Sequence, residues 1–194
     1  MMIKLILPAL MLAFSAGPKK PVTYVVNTTE SVIEWEAKKV TGQHNGKVPL
    51  SGGQMVIDGK KLVSGNFEAN MSALKIVELN GNENPRLDGH LKSDDFFGTD
   101  KFPKANFTMT SAKEAGAGKY EITGDMVIKG ISKPVSFTAA VAPQGDKILG
   151  TTTFMIDRTK YDIKYRSSNW FENLGDKAIY DEFQVTIKLV LDKK

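Results

Sequence analysis

The sequence predicts an all-β fold of antiparallel strands. Two observations carry that prediction. Apolar and polar residues alternate with a period of two through most of the chain, as in strands with one dry and one wet face. Turn signals recur at short intervals between those runs. A third observation narrows the class. Neither a βαβ alternation nor a repeat of fixed period is present, which removes doubly wound sheets and solenoids. An antiparallel sandwich and a closed barrel satisfy these facts equally.

Composition bounds the function. A chain of 194 residues suits one domain with a sizeable core. With 41% hydrophobic and 25% charged residues it falls in the soluble globular class. There is no cysteine, so disulfides, thiolate metal sites and cysteine nucleophiles are excluded, as is a lipoprotein's acylated cysteine. His44 and His90 are too few for a histidine-rich metal site. The formal net charge is +4, with basic residues interspersed among acidic ones, which describes a solvated surface rather than a nucleic-acid footprint. No metal, cofactor or nucleic acid is expected.

Taken in order, Met1–Gly17 begins M-M-I-K, continues through a short apolar run and ends S-A-G. A positive start, an apolar stretch too short to span a bilayer and small residues read as a secretory signal peptide over residues 1–16. Cleavage is expected near Ser15 to Gly17, leaving a periplasmic or secreted domain over residues 22–192. Gly17–Pro21 is a polar linker. Val22–Val26 is a short strand. In Ser31–Val40, Ile33, Trp35 and Ala37 alternate with Glu34, Glu36 and Lys38. Gly42–Gly46, with His44, reads as a turn. Gly52–Ile57 is a strand closed by an Asp58-Gly59 hairpin signal. In Leu62–Leu74, Gly65, Phe67, Ala69, Met71 and Ala73 share one face.

Asn84–Lys104 breaks the alternation. Asn84 suits an N-cap and Pro85 a first helical turn. Leu87 and Leu91 would share one helix face. Phe96, Phe97 and Phe102 follow in a loop punctuated by Gly98 and Pro103. The stretch reads as a short helix and plug folded over one end of a β structure. Alternation then resumes: Ala105, Phe107 and Met109; Tyr120, Ile122, Gly124, Met126 and Ile128; Val135, Phe137, Ala139 and Val141. Ala115–Lys119 is a Gly-rich turn. Ile148–Ile156 is a strand, Tyr161–Lys177 is irregular, and Phe183 to Leu191 is a long final strand. The count is eight or nine strands and one short helix.

Four pieces carry a resemblance: H-L-K-S-D-D-F-F at His90–Phe97, K-F-P at Lys101–Pro103, G-D-M-V-I-K-G-I-S-K-P-V at Gly124–Val135 and D-R-T-K-Y at Asp157–Tyr161. In order and spacing they resemble the YceI-like, polyisoprenoid-binding family. The resemblance covers residues 22–192. It selects the barrel over the sandwich, and implies an eight-stranded lipocalin-like antiparallel barrel with a short helix capping one end. It also implies export and a polyisoprenoid or other long-chain lipid as ligand. Homodimerisation is left open.

The dry faces mix small residues with flexible ones. Gly65, Ala69, Ala73, Gly124 and Ala139 leave volume, and Met71, Met109, Met126 and Met155 adapt to irregular apolar shapes. Small and large residues in alternation also fill a tapered core, so the pattern by itself fits a filled barrel as well as a cavity. The candidate lining is Trp35, Phe67, Met71, Met109, Met126, Phe137, Phe154 and Phe183. His90 either meets a head group at the cavity mouth or ties the plug to a backbone carbonyl. Arg158 either pairs with Asp157 or faces a phosphate. Asp94 and Asp95 fit loop turns better than carboxylate catalysis. No G-x-S-x-G, P-loop, G-x-G-x-x-G or H-E-x-x-H motif occurs. The expectation is a non-enzymatic binding protein. The alternatives are a cell-envelope hydrolase or isomerase acting on a lipid or glycan, for which two carboxylates would suffice, and a β-sandwich interaction module with a filled core.

Overall fold

Among the described residues, eleven strand segments line up as eight staves. The computed structural model describes residues 20–78 and 80–194, so the expected signal peptide and its cleavage site lie outside the described residues. The strands are β1 (Val22–Val26), β2 (Val32–Lys39), β3 (Gly42–Val48), β4 (Leu50–Asp58), β5 (Lys61–Asn70), β6 (Lys75–Ile76), β7 (Lys104–Glu114), β8 (Lys119–Ile128), β9 (Ile131–Gln144), β10 (Lys147–Asp157) and β11 (Ile179–Lys193). One helix, α1 (Pro85–Lys92), lies between β6 and β7. All pairings are antiparallel, and the sheet runs β1-β4-β5-β7-β8-β9-β10-β11 before β11 returns to pair with β1. β2, β3 and β6 prolong the staves begun by β1, β4 and β5. The result is the closed eight-stranded barrel that the resemblance implied.

Each break in a stave has a local cause. Between β1 and β2, Asn27 Oδ1 accepts from the backbone N–H groups of Thr29 and Glu30, which turns the chain. Ser31 then re-joins the sheet through its side chain: Oγ accepts from Val190 N at 2.9 Å and donates to Val190 O at 3.1 Å. Pro49 separates β3 from β4 because it has no N–H to give the ladder. Its carbonyl still accepts from Asn70 N at 2.9 Å.

Gly42–Gly46, expected as a turn, is instead most of strand β3. Two glycines within five residues read as loop because glycine is depleted in strands. At Gly46 the missing side chain has a use: a Cβ there would run into the Trp35 indole and the Lys75 carbonyl. Gly124 on β8 repeats the device, with the Phe107 ring and the Thr108 carbonyl in the space a Cβ would take.

The plug forms as its sequence dictates. Asn84 Oδ1 accepts from Leu87 N at 3.2 Å, and Pro85 opens α1. Asp88 Oδ1 accepts from Ile76 N, tying the helix to β6. Leu87, Leu91 and Phe97 pack against a buried cluster that includes Leu74, Ile76, Tyr161 and Ile163. Phe96 is buried against His90 and Tyr165, with ring centroids 5.0 and 5.3 Å away. A second cluster, with Leu50, Met55, Ile122, Ile148 and Leu191, fills the other end. There Tyr120 Oη donates to Lys60 O across neighbouring turns at 2.8 Å.

The two glycine positions give a stability test. Gly124→Ala should lower the free energy of unfolding by about 1–3 kcal/mol, since the added methyl must displace backbone and ring. Gly52, which faces open space, should tolerate alanine to within about 0.5 kcal/mol. Urea denaturation of the two variants measures the contrast.

Candidate ligand-binding cavity

Between the two clusters the barrel is not filled. An internal cavity of about 160 Å³ remains, walled by residues from all eight staves and by Phe97 of the plug. That is roughly ten times the volume a single water needs, and an apolar wall of this kind suits an apolar guest. All eight lining residues expected from the sequence reach this wall: Trp35, Phe67, Met71, Met109, Met126, Phe137, Phe154 and Phe183. Met71 does so from a 3₁₀ turn at Met71–Ala73 rather than from the strand itself.

The room is left by what the wall lacks and by how its rings lie. Gly65, Ala69, Ala105, Ala139 and Gly150 contribute little volume. Phe107 lies over Gly124 of β8 and so reaches Phe137 on β9, with ring centroids 5.3 Å apart. Phe137 in turn stacks on Phe154 of β10 at 4.5 Å, the planes 9° from parallel. This row of rings forms one side of the cavity wall. Four methionines, Met55, Met71, Met109 and Met126, share the wall. Their unbranched side chains can change shape without opening a polar gap.

Few polar residues contribute to the wall: Glu68, Asn106, Thr151 and Thr152. Thr152 Oγ1 is satisfied by the Thr138 carbonyl at 2.8 Å. The Glu68 carboxylate accepts from Ser51 Oγ at 2.6 Å and lies 3.1 Å from Lys104 Nζ. The Ser51 hydrogen bond first, and Lys104 second, hold its carboxyl below the usual carboxylate range. Trp35 Nε1 is buried without a hydrogen-bond partner, one unsatisfied donor in an otherwise apolar region.

Phe107 and Phe97 line the cavity but were not among the expected residues. Alternation had already set Phe107 on the face of Met109, so the pattern contained that signal. Phe97 comes from a non-periodic loop, where the pattern is silent. Met155, expected among the interior methionines, points outward and is 50% exposed. Its neighbour Phe154 takes the inward position, because successive strand residues face opposite ways.

His90 and Arg158 do not line the cavity. His90 Nε2 lies 3.1 Å from Asp95 Oδ2, so its partner is a carboxylate of the plug rather than a head group or a backbone carbonyl. Its ring stands edge-on to Phe96 and Tyr165. Arg158 is 4% exposed and neither pairs with Asp157 nor faces an open anion site. Its guanidinium donates to the carbonyls of Ile163, Ile179 and Tyr180 and to Asp181 Oδ1. Burial pushes its pKa down, opposed by Asp181 and Asp157. Asp157 instead accepts from Thr159 N and Oγ1, capping the turn at Arg158–Tyr161.

Residues 24–191 match the YceI-like domain family. The chain belongs to that family. Protein YceI of Salmonella arizonae is 32% identical to this YceI-like chain over 178 residues, covering 86% of this chain and 92% of the relative. A UPF0312 protein of Photorhabdus laumondii is 34% identical over 120 residues, and the match spans 61% of that relative's length. Among solved structures, Burkholderia cenocepacia BcnA has a TM-score of 0.70 at 21% identity, covering 85% of this chain and 98% of its own. A polyisoprenoid binding domain from Saccharophagus degradans, implicated in plant cell wall breakdown, has a TM-score of 0.64 at 11% identity, covering 88% and 98%. At these identities the structural likeness is one of fold.

The motifs behind the resemblance have structural work in this YceI-like barrel. His90–Phe97 supplies the plug, Gly124 lets the Phe107 ring cross β8, and Asp157–Tyr161 supplies the Arg158 clamp. Arg158→Met would remove a buried charge but leave three carbonyls and Asp181 without their partner. Stability should fall by about 3–5 kcal/mol, as when one partner of a buried pair is lost. Thermal or urea unfolding measures that. Uptake of an apolar probe by the protein that remains folded should be unchanged, because Arg158 does not reach the cavity.

Proposed function

We propose that this YceI-like protein is a carrier that encloses the tail of a polyisoprenoid or other long-chain lipid, without converting it chemically. The observation that carries the reading is the cavity: about 160 Å³ of unfilled space with an almost wholly apolar wall contributed by every stave. Energetics favour the tail as the recognised part. A tail burying ~600 Å² of its own apolar surface gains roughly 15 kcal/mol before association and ordering costs. An exposed charge contact at the mouth adds only about 0.2–1 kcal/mol. A long tail needs more room than 160 Å³, and the wall methionines and Phe97 are the groups that can yield it.

Export belongs to the same proposal. The positive start, short apolar run and small residues of Met1–Gly17 support a periplasmic or secreted carrier, and with no cysteine its export should not depend on disulfide formation. N-terminal sequencing of protein from an envelope fraction should begin near Ala16; an intact Met1 on cytoplasmic protein would contradict export.

Titration with lipid analogues of graded tail length, at low and high salt, tests the binding mode. Affinity should weaken by roughly 0.8 kcal/mol for each buried CH₂ removed and stay nearly indifferent to salt. Met126→Asp, which sets a charge in the apolar wall, should abolish binding. Affinity that ignores tail length and falls steeply with salt would move recognition to the head group and refute the reading.

A further inference from the structure

Seven large apolar side chains stand exposed among the described residues, and four of them gather around one loop. Trp170 (55%) and Phe171 (50%) lie within it, Tyr180 (54%) follows it on β11, and the backbone of Val40 (49%) donates to Ala178 at its base. The loop, residues 162–178, runs from the Arg158–Tyr161 turn to β11, with a single 3₁₀ turn at Gly175–Lys177. Loops of this length are uncommon in compact domains.

The loop is held, and its tip is presented. Arg158 clamps both of its ends, bonding Ile163 O on one side and Ile179 O on the other. Ser167 is fully buried, and its carbonyl accepts from the N–H groups of Trp170 and Phe171. Asn169 Nδ2 donates to Asp181 Oδ2 at 2.7 Å. Lys164 Nζ sits 4.0 Å from the centroid of the Trp170 ring. Of the five non-glycine residues with positive φ among the described residues, Asp162, Arg166 and Asn173 lie here, each a backbone conformation held at a cost. On its inner side Tyr165 packs on His90 and Phe96 of the plug, at 4.9 and 5.3 Å. Plug and loop therefore share one end of the barrel.

We propose that Trp170 and Phe171 dock this end on the surface of a lipid bilayer, so that the plug meets the membrane where cargo enters or leaves. The proposal rests on the carrier reading, because a bilayer is where a long-chain lipid resides. Two adjacent aromatics beside a lysine are the side chains that seat in the headgroup region. Charge does not drive the contact: Lys164, Arg166 and Lys177 are matched by Asp162, Glu172 and Asp176. Docking is therefore aromatic and weakly dependent on anionic lipid or salt.

The test uses the full mature protein with vesicles of phosphatidylcholine alone and of equal parts phosphatidylcholine and phosphatidylglycerol. The wild type should float with both. Its fluorescence should shift to the blue, a signal that reports Trp170 because Trp35 is already buried. Replacing both Trp170 and Phe171 with Ser should weaken vesicle binding by at least about tenfold. The same variant should still take up cis-parinaric acid added from ethanol, which also shows that it is folded. Wild type that loads the probe but does not float overturns docking alone. Wild type that floats but never loads leaves docking standing and overturns the carrier reading. Binding confined to anionic vesicles and abolished by salt contradicts an aromatic contact. A concentration-dependent dimer that the double substitution dissociates, without vesicle binding, would make the patch an interface between copies.

Discussion

β11 is the seam on which the barrel depends. Along one edge it pairs with β10, from Asp192 opposite Lys147 to Glu182 opposite Asp157. Along the other it pairs with β1 near Leu191 and with β2 from Lys188 to Phe183. Closure gives every stave a neighbour on both sides, although the β9–β10 ladder stops at Ala139 opposite Thr152. It also fixes which side chains face inward. A slip of one residue along this seam would turn Phe183, Val185, Ile187 and Leu189 to solvent and bring Glu182, Gln184 and Lys188 inside. Ser31 spans the gap between β1 and β2 by bonding Val190, so the seam continues where the backbone ladder lapses.

A closed ring of this size does not by itself hold a cavity; eight staves leave an interior that side chains can fill. Here the large buried side chains gather at the two ends, around Tyr161 and Ile163 under the plug and around Ile148 and Leu191 opposite. In the middle, rings lie flat on the wall where Gly46 and Gly124 make space for them. Stability is thus placed at the ends, and the centre is free to stay empty. The Arg158 clamp does the same for the outside, since its bonds to backbone carbonyls brace the long loop beside the plug.

Much of this was legible in the sequence because a closed barrel obeys the period of two almost everywhere. That period alone set Phe67, Met109, Met126, Phe137 and Phe183 on the inward face, and a cap, a proline and two leucines four apart marked α1. It could not separate sandwich from barrel, because closure is made by β11 meeting β1 across the whole chain length. β3 was misread because two glycines suggest a turn, whereas one of them, Gly46, makes room for a ring contributed by another strand. His90 and Arg158 were misplaced for a different reason. Their partners, Asp95 in the plug and the carbonyls flanking a long loop, are fixed by tertiary geometry that no spacing encodes. Nor does alternation report volume, so the unfilled centre appeared only with the structure.

The central claim is that an apolar chain occupies the barrel. Mass spectrometry of an organic extract of protein purified from its native cells, without detergent, tests this most directly. The account predicts a long-chain lipid in stoichiometric amount, lost when Met126 is replaced by Asp. Protein that carries no lipid, and that gives no heat or fluorescence change with any long-chain analogue, would contradict it.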